Sequence, residues 1–227
     1  MVLTLTCEHG GNEVPEQYAG YFKDAAGILQ THRGYDIGAL ELFQTLCELN
    51  HDYSIYSTTT RLLIDLNRSL HRKTLFSEFT IDLDATIKQE ILDKYYHPYR
   101  NSYLKKIEGL INNNNKVIQL SVHSFTPVLN GVERNTDIGV LYHPGRPSEV
   151  NFARVFKSAL MQYLPHLKIR FNYPYLGKPD GHVAFFRKIY SDEQYEGIEL
   201  ELNQMHAFNE QIYTGIKKAL QDTMNTL

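Results

Sequence analysis

The sequence predicts an α/β fold in which a mostly parallel or mixed central sheet is covered by helices on both faces. Short apolar runs typical of buried strands alternate along the chain with amphipathic segments typical of helices. The chain has 227 residues, enough for a well-buried core, and no repeat or low-complexity linker divides it. We therefore expect a single domain, residues 1–227.

The first half of the chain begins with a buried strand at 2–7. An amphipathic helix follows at 36–49, with Asp36 near its start. The other elements expected in this half are a strand at about 53–58, a short strand or extended segment at 61–66, and a long helix at 84–113. The run of asparagines from Asn112 to Asn115 favours a turn that ends this helix.

The second half continues the alternation of strands and helices. The expected elements are strands at 116–122, 137–142, 167–171 and 197–202, a helix near 147–163, and a terminal helix at 208–224. Three irregular stretches, 67–83, 124–136 and 172–190, are long for connections in a compact domain. Long loops of this kind often carry binding and catalytic residues.

Composition argues against several classes of protein. A formal net charge of −3 gives no basic footprint for nucleic acid. No stretch approaches the ~20 apolar residues of a membrane helix, and the first apolar run has no basic leader typical of a signal peptide. Cys7 and Cys47 form neither a metal-type pair nor a disulfide framework. We therefore expect a cytoplasmic protein with no membrane partner.

Two histidines stand where an apolar run gives way to small and polar residues. His9 follows the first predicted strand and precedes two glycines, and His123 follows the strand at 116–122. Strand ends line the ligand crevice of an open α/β sheet, so the two imidazoles suit a zinc site that needs three protein ligands and an open position. Asp36, Glu13 and, less favoured, Glu8 are the candidates for the third ligand. Either histidine alone is equally explained as a structural residue of a turn or strand end.

Two other segments carry charges that suit a hydrolase. Arg61, Asn67 and Arg68 surround a short apolar run, and an arginine fork matches a carboxylate or oxyanion. Taken alone, the segment is better explained by Arg61 and Arg68 as surface charges, one of them paired with Asp65. Glu201 alternates with aliphatic residues in a predicted strand, together with Glu199, so both carboxylates point to one face. If their face of the strand is open to solvent, the two carboxylates are solvated charges. If the strand is central, they must be paired, metal-bound or protonated.

The ordered set of segments resembles the N-formylglutamate amidohydrolase family, which is itself similar to the zinc carboxypeptidases. The resemblance rests on CEHGGNEVP (7–15), DIGALEL (36–42), RLLIDLNR (61–68), SVHSFTPVLNG (121–131), IGVLY (138–142) and IELEL (198–202). It implies a zinc-carboxypeptidase-like fold, with His9 and His123 as zinc ligands. It also implies that Asn67 and Arg68 contact the substrate and that Glu201 is the general base.

The sequence departs from the carboxypeptidase pattern at two positions. Asn12 occupies the place of a glutamate ligand, and Asn203 replaces an arginine after the general base. Zinc rarely takes an amide ligand, so we expect Asp36 to be the third ligand and assign Asn12 to the substrate-binding set. The missing arginine makes amide hydrolysis a firmer expectation than formylglutamate as the substrate.

Together these observations predict a hydrolase that uses Zn²⁺ or another divalent cation to cleave the C–N amide bond of a small anionic N-acyl amino acid such as N-formylglutamate. Glu201 and Arg68 are the predicted catalytic residues, and His9, Asp36 and His123 the predicted metal ligands. The predicted substrate-binding residues are Asn67, Arg68, Arg61, Arg134 and Asn12. Two alternatives stay open: a carboxypeptidase-like hydrolase of other N-acyl amino acids or small peptides, and a non-catalytic binding relative that lost its metal.

Overall fold

A six-stranded sheet forms the centre of the molecule in a computed structural model that describes residues 1–227. The eight strands are β1 (Val2–Cys7), β2 (Tyr53–Tyr56), β3 (Val117–Phe125), β4 (Val128–Leu129), β5 (Val132–Glu133), β6 (Ile138–Leu141), β7 (Ile169–Phe171) and β8 (Tyr195–Asn203). The sheet order is β2-β1-β3-β8-β6-β7, and β4 pairs with β5 in a separate hairpin. Only the β6–β8 pair of the large sheet is antiparallel. The predicted α/β fold with a mixed sheet is therefore confirmed.

Seven α-helices connect and cover the strands. They are α1 (Ala26–Leu29), α2 (Ala39–Leu46), α3 (Ala85–Ile91), α4 (His97–Asn112), α5 (Pro147–Tyr163), α6 (His182–Arg187) and α7 (Glu210–Thr226). A π-helical turn, Leu92–Tyr96, joins α3 to α4, so the long helix predicted at 84–113 is continuous but has one wider turn. The short helices α1 and α6 and the β4–β5 hairpin were not predicted, because their periodic patterns are too short to stand out. No helix is both long and apolar enough to cross a membrane.

The strand or extended segment expected at 61–66 is wrong: this segment forms consecutive turns. The Leu63 amide donates to Thr60 within the segment, but the Asp65 amide donates to the Leu75 carbonyl, so the turns are held by a neighbouring loop and not by a strand ladder. Its four aliphatic residues are nevertheless buried in a separate apolar cluster beneath α3 and α4. The apolar run therefore indicates a buried segment, but it does not show whether that segment is a strand or a packed turn.

The two faces of the sheet differ sharply in polarity. On one face, the aliphatic residues of β1, β3, β6 and β8 pack against α2, α5 and α7 in a 27-residue apolar core. On the other face, the same strands bury polar side chains beneath α4, α6 and the loop at 60–80. The buried polar members are Thr4, Thr6, Gln119, Ser121, His123 and Glu201. This polar face continues directly into the candidate site.

Candidate active site

The carboxyl ends of β1, β3 and β8 bring the two histidines and the strand glutamates together. His9 lies two residues beyond β1, while His123 and Glu201 are Cα partners in the parallel β3–β8 ladder. β3 was expected to end at residue 122 but continues to Phe125, because β8 pairs with it along its whole length. His123 is consequently fixed inside a central strand and is not the free strand-end residue that the sequence suggested.

Asp36 reaches this place through a turn that depends on Gly38. The Asp36 amide donates to the His9 carbonyl at 2.9 Å, so the aspartate is held beside the first histidine. Gly38 has φ of 80°, and a Cβ there would lie 2.8 Å from the Ala207 Cβ. Only glycine adopts this conformation without strain and also leaves room for the neighbouring segment. The α2 helix can then begin directly after the Asp36 turn.

His9, Asp36 and His123 form a buried group whose donor atoms all lie within 4.8 Å of one another, and it could hold a metal ion. The Asp36 Oδ2 atom lies 2.8 Å from His123 Nδ1 and 3.4 Å from His9 Nδ1. The His9 Nδ1 atom is buried and has no hydrogen-bond partner. Two imidazoles and one carboxylate are a donor set that suits a catalytic zinc ion, so the residues present fit this metal.

The far nitrogen of each histidine contacts other groups. His9 Nε2 lies 2.7 Å from Asp65 Oδ1. His123 Nε2 lies 2.9 Å from Ser121 Oγ and 3.2 Å from Glu8 Oε2. Metal-binding histidines commonly donate their second ring N–H to a carboxylate or a similar acceptor, which fixes the ring and its tautomer. Both imidazoles therefore direct Nδ1 towards the Asp36 carboxylate, where a metal ion could bind.

The electrostatics of the group favour a cation between these side chains. Burial opposes charge on His123, but its hydrogen bonds with Asp36 and Glu8 outweigh burial and raise the pKa of the imidazole well above its ordinary value. Burial likewise opposes ionisation of Asp36, yet His9 and His123 hold the pKa of its carboxyl well below the usual range. A carboxylate that stays ionised next to sites of positive charge is a ready ligand for a cation.

Glu199 and Glu201 both face the cavity, as their spacing predicted. Burial raises the pKa of Glu201 to about 8, opposed by His123 and assisted by the carboxylates of Asp36 and Glu199. The Glu201 Oε2 atom is buried without a hydrogen-bond partner. Because β8 is central, the solvated-edge explanation of these glutamates does not apply, and Glu201 is an unpaired acid beside the metal group.

A cavity of about 310 Å³ opens over this group, and Asn67 and Arg68 lie in its wall. The Asn67 Oδ1 atom accepts from the His182 amide, which holds the side chain in place. The Arg68 side chain is 35% exposed, and its nearest carboxylate contact, with Asp65, is long at 3.8 Å. Arg61 also lines the cavity, but its guanidinium is bound to Asp36 at 3.1 Å and to Asp65 at 2.9 Å. Arg68 is therefore the more available guanidinium.

Four candidate residues from the sequence lie outside the cavity lining, and one of them, Glu8, lies behind His123, 3.2 Å from its Nε2 atom. Asn12 donates its side-chain amide to the Leu29 carbonyl, and the Glu13 carboxylate accepts from Thr58. Arg134 stands at the cavity mouth, where its guanidinium lies 5.0 Å from the ring centre of Tyr175 and donates to the tyrosine hydroxyl. The structure therefore places Asn12 and Glu13 in structural contacts and leaves Arg134 within reach of the entrance.

Asn203, which stands where the related pattern has arginine, is buried in a structural role. Its amide donates to the Thr136 carbonyl at 2.9 Å, and its Oδ1 atom accepts from the Met205 amide. These bonds hold the end of β8 against the segment that precedes β6. The absent arginine therefore leaves no unpaired group at this position.

Several residues around the site carried no distinctive signal in the sequence. Asp65 was read as an ion-pair partner of an arginine, and its contact with His9 depends on the fold. Ser121 lies beneath His123, and Asp180 lines the cavity. Their positions in the predicted loops and on the face of His123 were the only available signals.

Comparison with known proteins identifies the family. The model of the N-formylglutamate amidohydrolase family matches residues 2–206. The chain belongs to this family. Membership assigns it amide hydrolysis as its class of reaction, in agreement with the buried acid and the metal-type group of the cavity. No curated protein is similar enough to the chain to count as a match.

Two crystal structures share the fold of this family member. A gene product of Agrobacterium tumefaciens is 24% identical, with a TM-score of 0.79 over 99% of this chain and 89% of that chain. The N-formylglutamate amidohydrolase from Ralstonia eutropha JMP134 is 15% identical, with a TM-score of 0.72 over 100% of this chain and 92% of that chain. At these identities the similarity establishes the common architecture.

Proposed function

We propose that this protein is a Zn²⁺-dependent amidohydrolase that cleaves the C–N bond of an N-acyl amino acid such as N-formylglutamate. The observation that carries the proposal is the convergence of His9 Nδ1, Asp36 and His123 Nδ1 in the same cavity as the unpaired acid Glu201. When bound by the three ligands, Zn²⁺ supplies Lewis-acid activation of the scissile carbonyl and lowers the pKa of water.

Glu201 is the proposed general base and acid. It takes a proton from the attacking water and later delivers it to the leaving amine, so that one carboxyl group serves both steps. Its pKa of about 8 makes it uncharged near neutrality when no cation is present. A neighbouring cation favours the carboxylate form, which places the acid and base forms within reach of each other at physiological pH.

Arg68 is the proposed partner of the substrate carboxylate. Its guanidinium is partly exposed in the cavity wall, and the planar fork matches a carboxylate with two parallel hydrogen bonds. Asn67 lies beside it and supplies an amide near His123, at 3.4 Å from its Nε2 atom. We assign Arg61 instead to holding Asp36 and Asp65, because both ends of its guanidinium are already paired.

A second carboxylate on the substrate would have to interact at the cavity mouth. Arg134 offers a guanidinium there, next to Tyr175, whereas Glu199 and Glu201 occupy the floor with acidic groups. The volume of about 310 Å³ lies at the low end for ligand pockets and suits a small N-acyl amino acid better than an extended peptide. These features support N-formylglutamate as a substrate whose side-chain carboxylate points outward.

A panel of substrates and a metal analysis test this proposal. Protein purified without chelator or nickel affinity steps should contain one zinc per chain and hydrolyse N-formylglutamate faster than N-acetylglutamate, N-formylglutamine or short peptides. An Arg134→Ala variant should lose the preference for glutamate over glutamine while it still hydrolyses both. Faster cleavage of peptides would favour a carboxypeptidase-like enzyme, and absence of both metal and hydrolysis would contradict the proposal.

A further inference from the structure

Glu8 is a buried carboxylate directly before His9 that the proposed mechanism leaves without a role. Its side chain is fully enclosed, and each oxygen has two polar neighbours. Oε1 accepts from the Tyr99 hydroxyl at 3.1 Å and lies 3.0 Å from His182 Nδ1. Oε2 accepts from Ser121 Oγ at 2.6 Å and lies 3.2 Å from His123 Nε2. The Tyr99 and Ser121 hydroxyls both donate to it, as an ionised, acceptor-only group requires.

These contacts fix the direction of the hydrogen bonds beneath the metal group. Because the Glu8 carboxylate only accepts, the Ser121 hydroxyl must donate its hydrogen to Glu8. Ser121 Oγ can then only accept at its 2.9 Å contact with His123, and this contact is shorter than the 3.4 Å between the Asn67 amide and the same atom, so Nε2 carries a hydrogen. An imidazole must be neutral to bind a metal ion, and with Nε2 protonated in that form the free lone pair lies on Nδ1, the atom next to Asp36.

A buried carboxylate is costly unless charged or polar groups satisfy it. Helix α4 contributes Tyr99, and helix α6 contributes His182, so two elements outside the strands hold Glu8 in place. The same arrangement recurs at the other histidine, where Asp65 contacts His9 Nε2. Each of the two imidazoles thus has a carboxylate on the side away from the metal position, which is the pattern that orients metal-binding histidines.

We propose that Glu8 is a positioning residue that holds His123, directly and through Ser121, in the Nε2–H tautomer with Nδ1 free to bind the metal ion. This inference rests on the metal-dependent function proposed above. Glu8 acts on the metal through His123 and is not itself a ligand, because both of its oxygens face groups on the other side of that ring.

The Zn²⁺ affinity of a Glu8→Gln variant tests this role. Glutamine keeps the size of the side chain, but it removes the charge and adds a donor where His123 needs an acceptor. We expect Zn²⁺ to bind roughly 10- to 100-fold more weakly, measured by competition with a chromophoric chelator. The matched control is Glu196→Gln, which alters another buried carboxylate of the sheet, paired with Lys116 at the opposite end of β8. The control should bind Zn²⁺ like the unaltered protein.

A spectroscopic measurement on the unaltered protein keeps the test independent of whether the variant folds. In the zinc-loaded protein, ¹⁵N–¹H correlation spectra of the imidazoles should show that His123 carries a hydrogen at Nε2 and none at Nδ1. The opposite tautomer would overturn the role of Glu8, as would unchanged Zn²⁺ affinity in a folded Glu8→Gln variant. Failure of the unaltered protein to bind Zn²⁺ would instead overturn the proposed function itself.

Ser121→Ala separates the direct contact from the one relayed by serine. The variant keeps the Glu8 charge and its 3.2 Å contact with His123, and it removes both hydrogen bonds of the relay, of which the one with His123 acts on the imidazole. We expect a smaller loss of Zn²⁺ affinity, roughly twofold to tenfold, which corresponds to one neutral hydrogen bond. A loss as large as that of Glu8→Gln would contradict the direct role of the carboxylate and leave only the serine.

Discussion

Glu201 shows how position in the sheet, and not residue type, sets the chemistry of a carboxyl group. It is 5% exposed, and burial is the largest influence that raises its pKa to about 8. Asp36 is equally buried, yet the pKa of its carboxyl is lowered because His9 and His123 lie against it. The pKa values of two acids in one cavity are thus shifted in opposite directions, which is how a site can assign one carboxyl group to proton transfer and keep another ionised.

Replacement of Glu201 by glutamine should abolish most of the activity. The amide cannot transfer a proton, so we expect kcat to fall about 100-fold or more while the zinc content stays unchanged. Steady-state kinetics and metal analysis on the same preparation measure both quantities. Near-normal turnover in the variant would show that Glu201 is not the general base.

Glu201 should also make the metal-free protein less stable as the pH rises. Its pKa is higher in the folded protein than in the unfolded chain, so its stabilising effect is complete below the pKa of the unfolded chain and is lost progressively as the pH rises to about 8. We expect the melting temperature of metal-free Glu201→Gln, relative to the unaltered protein, to increase from pH 5.5 to pH 9. A difference that is constant over this range would show that the carboxyl group is not perturbed.

At the scale of elements, the turn before α2 determines where a candidate ligand lies. Asp36 is fixed by its backbone bond to His9, and Gly38 allows the chain to turn at φ of 80° into the helix. The Tyr213 hydroxyl from α7 donates to the Gly38 carbonyl at 2.9 Å, so the terminal helix clamps the same turn. The position of Asp36 therefore depends on an element from the other end of the chain.

Substitution of Gly38 by alanine should destabilise the protein and weaken metal binding together. A left-handed backbone at a non-glycine residue costs about 1–3 kcal/mol, and the added Cβ would also press on Ala207. Chemical denaturation and Zn²⁺ titration measure the two effects. Gly109→Ala is the control, because Gly109 lies inside α4 with open space around it, and alanine there should stabilise the helix by about 0.5–1 kcal/mol. Unchanged Zn²⁺ affinity in Gly38→Ala would show that the Gly38 turn does not determine how Asp36 binds the metal ion.

At the scale of the whole molecule, the two faces of the sheet have different roles. One face is aliphatic and packs on α2, α5 and α7, and it supplies the apolar core. The other face buries a chain of polar contacts, from Thr4 with Tyr103 at 2.7 Å to Gln119 with Thr6 at 2.9 Å, and ends at the metal group. The rigid core thus fixes the strands whose polar face carries the chemistry.

Removal of the metal should therefore lower the stability of the entire fold. The three proposed ligands come from the end of β1, the turn before α2 and strand β3, and an ion that binds only the folded chain stabilises it by mass action. We expect chelation to lower the melting temperature by several degrees and added Zn²⁺ to restore it. Scanning calorimetry measures the shift, and Mg²⁺, which prefers oxygen ligands, is the control ion. Identical melting curves with and without chelator would contradict a structural contribution of the metal.

Much of the architecture could be predicted because its signals are local. The strands at β1, β3, β6 and β8 and the helices α2, α5 and α7 follow from apolar periodicity over a few residues. The segment at 61–66 was misassigned because an apolar run does not distinguish a strand from turns packed under helices. The short helix α6 lacked a pattern long enough to detect.

The sequence by itself determined the α/β class, most strands and long helices, and the types of residue that metal-dependent amide hydrolysis requires. Only the tertiary structure decided which of these residues meet: it brought Asp36 beside His123, placed Asn12 elsewhere, and put Glu8 and Asp65 behind the two histidines. Periodicity reflects neighbours within a few residues of each other. Contacts of the site join residues up to 115 positions apart, and their distances depend on how the whole sheet is ordered.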